Sequence, residues 1–236
     1  MSPTIARLLT VLGAALLLAA CEGDDGGPVA MVPSSFTDMT HEIDRARGTE
    51  TEWIISGSSR LVRQLADGAD ADLLITADEA TMRRAFDDGL VDVSLGTIAH
   101  NRLVLAVAPE NPAGVDRLSD LADPDLLIGV CASEVPCGRL ADEAATALGL
   151  TVAADTEEPN VRSLALKIAR GELDAGLIYQ TDALAFSLDT VDDDRLAGFV
   201  TAYVAASVHG DITGIAAFLR TPPGQELLVA AGFTIP

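Results

Sequence analysis

Four short stretches place small polar residues or free backbone N–H groups where an apolar, strand-like run gives way to a helix-like one. They are Ser34-Ser35, Ser58-Ser59, Cys137-Gly138 and Asn160-Val161. The first N–H groups of a helix have no acceptor within it, and the helix dipole is positive at that end. Serine or asparagine there can cap the helix. The same groups can hold an anion. Converging helix starts would form a neutral cage of donors, with each charge-assisted hydrogen bond contributing roughly 1.5–3 kcal/mol. Periodicity alone leaves both readings open, four separate caps or one cage. Tyr179 ends a buried run and is either a further donor or a locally bonded core residue.

Other chemistries fit less well. Ser35 or Ser58 as a nucleophile lacks a Gly-x-Ser-x-Gly elbow and a histidine partner. His41, His100 and His209 are scattered and read as surface or structural residues. Cys131 and Cys137 have no nearby histidine or further cysteine, which makes a poor zinc set. No base lies near them in sequence to activate a thiolate. Six residues apart in one loop of an exported chain, they are placed for a disulfide. Asp72 and Asp78 flank a strand and read as caps or pairing groups near a cleft rim. Asp192-Asp193-Asp194 reads as a solvated loop.

The elements that must position these residues alternate. Strands are expected at Val29-Ala30-Met31-Val32, Trp53-Ile54-Ile55, Leu73-Leu74-Ile75 and 102–108, then at 126–130, Leu177-Ile178-Tyr179 and around Tyr203-Val204. Helices are expected from Phe36 through Ile43, from Ser58 to Gly68, and over 79–89, 139–148 and 160–171. A short helix near 215–219, a break at Pro222-Pro223-Gly224 and a last helix over 225–231 complete the chain. Alternation of this kind predicts an α/β fold with mostly parallel sheets, whose ligands sit beyond the carboxyl ends of the strands.

The 236 residues are 49% hydrophobic and 22% charged, ample for a packed core, and carry a net charge of −21. That balance excludes a nucleic-acid partner, which needs a basic footprint. Arg7, an apolar run over 8–20 and then Cys21 read as an export signal (residues 1–20). Leu18-Ala19-Ala20-Cys21 resembles a lipobox, which implies lipid on Cys21, and 21–28 reads as an acidic, glycine-rich tether.

Ser35-Phe36-Thr37-Asp38, the block from Gly57-Ser58-Ser59 to Ala77-Asp78, Val135-Pro136-Cys137-Gly138, Asn160-Val161-Arg162 and Gly176 through Ala183 follow one another in a recognisable order. Together they resemble the motifs of the molybdate-binding proteins of ABC importers, over nearly all of the mature chain. The resemblance implies a periplasmic-binding-protein fold, with two α/β lobes of mixed, mostly parallel sheets joined by a two-segment hinge. Residues 29–99 plus 200–236 would form lobe 1 and 100–199 lobe 2, with crossings near 98–102 and 184–201. It implies an oxyanion held by Ser35 and Ser58 through hydroxyl and backbone, by the N–H groups of Cys137 and Val161, and by the Tyr179 phenol. Molybdenum would be bound as molybdate, without direct protein–metal bonds and without a further cofactor. The implied role is capture of molybdate or tungstate, not catalysis, and delivery to an ABC permease by a monomer on the outer face of the cytoplasmic membrane or in the periplasm. The alternatives are another oxyanion such as sulfate or phosphate and, more remotely, an exported serine hydrolase. Molybdate is a fully deprotonated dianion that needs donors only, whereas phosphate keeps a proton and calls for an acceptor. Against sulfate only cavity size can discriminate.

The chain departs from the pattern at three points. Pro33, which has no N–H, stands where alanine is usual, the segment between Ser35 and Ser58 is short, and Cys137 replaces a common alanine. A Cys131–Cys137 bridge would stiffen the anion-binding loop.

Overall fold

The computed structural model describes residues 27–209 and 214–236. The expected signal segment, Cys21 and most of the tether lie outside them. Among the described residues no helix is long and apolar enough to cross a membrane.

Three parallel strands, β1 (Val29–Pro33), β2 (Glu52–Ser56) and β3 (Leu73–Thr76), begin the sheet, with β1 in the middle. Their residues alternate between two apolar layers. Ala30, Val32, Leu73 and Ile75 join the larger core, whereas Met31 and Leu74 face α2 (Ser58–Ala66) and α3 (Glu79–Asp87) with Leu61, Leu65 and Met82. On the other side, β5 (Ile128–Cys131), β6 (Ala154–Glu158) and β7 (Ala175–Tyr179) are again parallel. Helices α4 (Pro136–Leu148), α5 (Val161–Ala169) and α6 (Gln180–Ala185) follow these strands.

One long strand, β4 (Val93–Val107), belongs to both halves. Its first part pairs with β9 (Val200–Ser207) and its last five residues pair with β7, antiparallel in both cases. β9 in turn runs antiparallel to β3, so β3 and β4 point the same way and β7 points back at them. The carboxyl ends of the two parallel sets therefore face each other. A short β8 (Thr190–Val191) also pairs with β4 before the chain returns in β9. The result is two α/β lobes, spanned by β4 and by the segment leading into β9.

Several elements differ from the sequence expectation. The first helix is broken into a 3-10 turn, Ser34–Phe36, and α1 (Thr40–Arg47). The Thr37 hydroxyl donates to Ser34 O at 2.5 Å and competes for the backbone there. Phe36, Met39 and Ile43 still share one buried face. β4 begins at Val93, well before the apolar run at 102–108, because two register shifts, at Ser94/Gly96 and Thr97/Ala99, break the strand's alternation. α4 begins at Pro136, and α7 (Pro222–Ala230) begins at the expected break, since proline fits the first turn of a helix. β6 was not foreseen. Its sequence Ala-Asp-Thr-Glu-Glu is that of a charged edge strand. Residues 194–196 of the acidic loop form a 3-10 turn.

The turn at Ser34–Phe36 is held by an aromatic cluster. Phe36 lies 5.8 Å from Tyr203 and 5.3 Å from Phe233 between ring centroids, and Tyr203 and Phe233 are 4.9 Å apart edge to face. Phe36 is fully buried. Phe36→Ala should therefore lose about 3–5 kcal/mol in urea unfolding, and Phe36→Leu distinctly less. Equal small losses would show that the turn does not depend on this ring.

Candidate functional site

Each strand of the two parallel sets that faces the gap hands the chain to a helix start or a tight turn. β1 runs into Ser34-Ser35, β2 through Gly57 into Ser58, β5 into the loop ahead of Cys137, and β6 into Asn160-Val161, while β7 ends at Tyr179. The five donors expected from the sequence, Ser35, Ser58, Cys137, Val161 and Tyr179, line one cavity. Among the described residues no charged side chain lines it; Ser34, Ala77, Pro136 and Asn160 supply much of the remaining wall. All five donor residues are 8% exposed or less. The cavity they enclose is small.

The local geometry leaves protons for the cavity. Ser58 opens α2 behind Gly57, which is extended at φ −64° and ψ 137°. The Ser58 Oγ accepts from Ala77 N–H at 3.0 Å, so its own proton is left to point elsewhere. Asn160 caps α5, its Oδ1 accepting from Ser163 N–H at 2.9 Å, which leaves Val161 N–H at the helix start without a side-chain cap. Cys137 and Gly138 follow Pro136 in the first turn of α4, where N–H groups have no helical acceptor. Cys137 is bonded to Cys131. Gly138 packs so closely that a Cβ there would sit 2.0 Å from Ala132 O. Pro33 is the residue before the 3-10 turn, so the N–H it lacks is not one of the turn's own. The buried Tyr179 hydroxyl has no hydrogen-bond partner among the described residues. Such an orphan costs about 1–3 kcal/mol unless the cavity satisfies it. Burial, then the neighbouring Tyr203, Asp78 and Asp182, push its pKa well above the usual phenol value, so it stays a proton donor.

Around the cavity the lobes are in contact. Ser59 Oγ donates to Glu134 O at 2.9 Å. Arg139 donates to Asp78 Oδ2 at 2.5 Å and to Thr81 Oγ1 at 2.7 Å, while Asp78 Oδ1 caps α3. Arg162 pairs with Asp38 through both carboxylate oxygens and stacks over Phe186, 4.6 Å from its centroid. Gly57 passes Pro159 so closely that a Cβ would meet its carbonyl oxygen at 2.9 Å.

Asp72 lies at the opposite end of β3 from Asp78 and accepts from Val29 N–H at 2.8 Å, away from the rim expected for it. None of the three histidines lines the cavity; His209 lies 3.1 Å from Asp70, and the backbone of His100 bridges to Thr234. A buried polar group comprising Asn101, Thr181, Asp182 and Tyr203 was not foreseen. Its only signal was polar residues within otherwise apolar runs. Burial raises the Asp182 pKa from 3.8 to about 7, opposed first by the hydrogen bond from Thr181 and then by Arg162.

A cavity closed between two α/β lobes, at the carboxyl ends of their strands, is the site of a solute-binding protein that takes its ligand from solution. The chain belongs to the bacterial extracellular solute-binding protein family, which it matches over residues 34–234. It is 31% identical over 215 residues to the molybdate-binding protein ModA of Mycobacterium tuberculosis H37Rv, covering 88% of this chain and 82% of that one. To the molybdate-binding protein ModA of Escherichia coli K12 it is 29% identical over 227 residues, covering 87% and 86%. The fold is that of the Azotobacter vinelandii periplasmic molybdate-binding protein, with a TM-score of 0.70 over 88% of this chain and 99% of the other at 16% identity.

The Asp182 carboxyl makes stability depend on pH. Its folded pKa, about 7, lies above the 3.8 of the open chain. The folded state therefore holds a proton that the unfolded state releases, and stability falls as pH rises from about 4 to about 7. Asp182→Asn should flatten that part of the urea-unfolding profile. An unchanged slope would show that Asp182 titrates normally.

Proposed function

We propose that the chain captures a fully deprotonated tetrahedral oxyanion, molybdate or tungstate, between its lobes and hands it to an ABC permease. The observation that carries this reading is the cavity wall, in which hydroxyl and amide donors converge and no charged side chain takes part. Such a wall suits a dianion that offers no proton and needs no acceptor. The cavity is small, as an ion of one central atom and four oxygens requires. About five charge-assisted bonds of roughly 1.5–3 kcal/mol each leave a surplus after the costs of ordering the site. The names of the curated relatives point to the same ligand.

In this reading Ser35 and Ser58 donate through hydroxyl and backbone, Cys137 and Val161 through backbone N–H, and Tyr179 through its phenol. Residues 29–99 with 200–236 form one lobe and 100–199 the other, and binding closes them about the two crossings. The protein works as a monomer, exported and held at the membrane by lipid on Cys21. The match to a solute-binding family supports a binder over the remote alternative of a hydrolase.

Calorimetric titration with molybdate, tungstate, sulfate and phosphate tests the reading. Submicromolar binding of the first two, with sulfate silent, is the expected result, and Ser58→Ala should weaken it at least tenfold. Tight sulfate or phosphate binding would reassign the ligand, and silence toward all four would refute the site. Replacing the bridge by Cys131→Ser with Cys137→Ala should lower the melting temperature, since closing so short a loop contributes about 2 kcal/mol, and should weaken anion binding by loosening the loop. Unchanged affinity and melting temperature would show that the bridge does not pre-organise the site.

A further inference from the structure

The Ser35 hydroxyl lies 2.7 Å from the Tyr203 hydroxyl, and either oxygen of such a pair can give the proton. The choice matters. If Ser35 donates to Tyr203, it turns a lone pair toward the cavity; if Tyr203 donates to Ser35, the serine proton is free for an anion.

Asn101 on β4 decides between the two. Its Oδ1 accepts from Arg102 N–H at 3.0 Å. A backbone N–H can only donate, so the atom facing it must be oxygen and the carboxamide orientation is fixed. Nδ2 then gives one hydrogen to Thr181 Oγ1 at 2.8 Å and the other to the Tyr203 hydroxyl at 3.3 Å. Thr181 passes its own proton on to Asp182 Oδ2 at 3.1 Å. The Tyr203 oxygen, already an acceptor, has its proton left over in a fully buried site. Leaving that proton unpaired is costly, and Ser35 is 2.7 Å away to receive it. The chain of bonds therefore has one polarity, from Asn101 through Tyr203 to Ser35.

We propose that Asn101 and Tyr203 are positioning residues that turn the Ser35 hydroxyl into a donor aimed at the anion. The proposal rests on the reading of Ser35 as an anion donor. Ser58 has the same arrangement in simpler form, because the Ala77 N–H that bonds its oxygen cannot reverse. At Ser35 the donor is a phenol, whose direction has to be set from behind. A site wired in this way favours anions without a proton, since the group Ser35 turns toward the cavity is its hydrogen.

The test is calorimetric titration of the purified protein with molybdate. Wild type is measured first, and failure to bind there would refute the oxyanion reading before any variant is made. Ser35→Ala and Tyr203→Phe should each weaken binding about tenfold, and Tyr203→Phe should cost little once Ser35 is alanine. Asn101→Asp replaces the double donor with an acceptor, so Tyr203 turns its proton back and Ser35 presents a lone pair. Binding should then fall by more than about a hundredfold. In a Tyr203→Phe background the same change should cost less than about threefold, because no reversal can reach Ser35. A merely electrostatic effect of the new carboxylate would persist in that background, and finding it there overturns the proposal. So does wild-type affinity in Tyr203→Phe, or a Tyr203→Phe loss that persists in Ser35→Ala. Wild-type affinity in Ser35→Ala would remove Ser35 from the site and the proposal with it. If Asn101→Asp does not fold, the Ser35–Tyr203 pair of variants decides alone.

Discussion

Buried hydrogen-bond donors without acceptors are what the rest of this structure is arranged around. Each helix start supplies N–H groups that its own helix cannot satisfy. Here such starts are brought together because β4 and β9 run antiparallel through the middle of the molecule and turn the two parallel sets of strands head-on. The strand-to-helix turns of the two parallel sets then open onto the same gap. Were the central strands parallel, one set would present its amino ends and the donors would never meet. The topology thus concentrates positive potential with no cation lining the cavity among the described residues, and the Tyr179 hydroxyl, buried with no partner among them, is its clearest sign.

Neutral donors also resolve the problem posed by a chain with a net charge of −21. A dianion entering such a protein meets long-range repulsion, but screening confines that repulsion to about 10 Å at ordinary salt. Within the cavity the nearest dipoles govern. The charged pairs sit outside it, as Arg139 with Asp78 and Arg162 with Asp38 across the lobe boundary. Partly exposed pairs of this kind contribute little to stability. Each instead links a residue beside the β1–β3 set to a residue beside the β5–β7 set.

Much of the site was legible in the sequence for a physical reason. Caps and helix starts are local, so Ser58 and Val161 announce themselves through the apolar periodicity that follows them. The fold class was equally legible from alternating strands and helices. What could not be read were relations between distant segments. Asn101, Tyr203 and Thr181 are ordinary polar residues until β4, β9 and α6 are known to be neighbours, and nothing in the order of residues gives that pairing. β6 and the first part of β4 were missed because a charged edge strand and a bulged strand both lack clean alternation. The first helix was misjudged because the Thr37 hydroxyl, not the apolar spacing, sets where the backbone turns.

In the proposed site the two serines would divide the work of donation in different ways. Ser58 is held by a backbone amide, so its direction is built into the chain and follows from folding alone. Ser35 is held by a side chain that stands on a central strand, and that side chain by Asn101 on the strand that passes between the lobes. The second arrangement needs three residues from three segments to be in register at once. Any shift of β4 against β9 that lengthened the 3.3 Å contact between Asn101 and Tyr203 would free the phenol to turn. Ser35 would then no longer be committed to donate. If Ser35 donates to the anion as proposed, that contact ties its donation to the register of β4 against β9 without any charged group having to move.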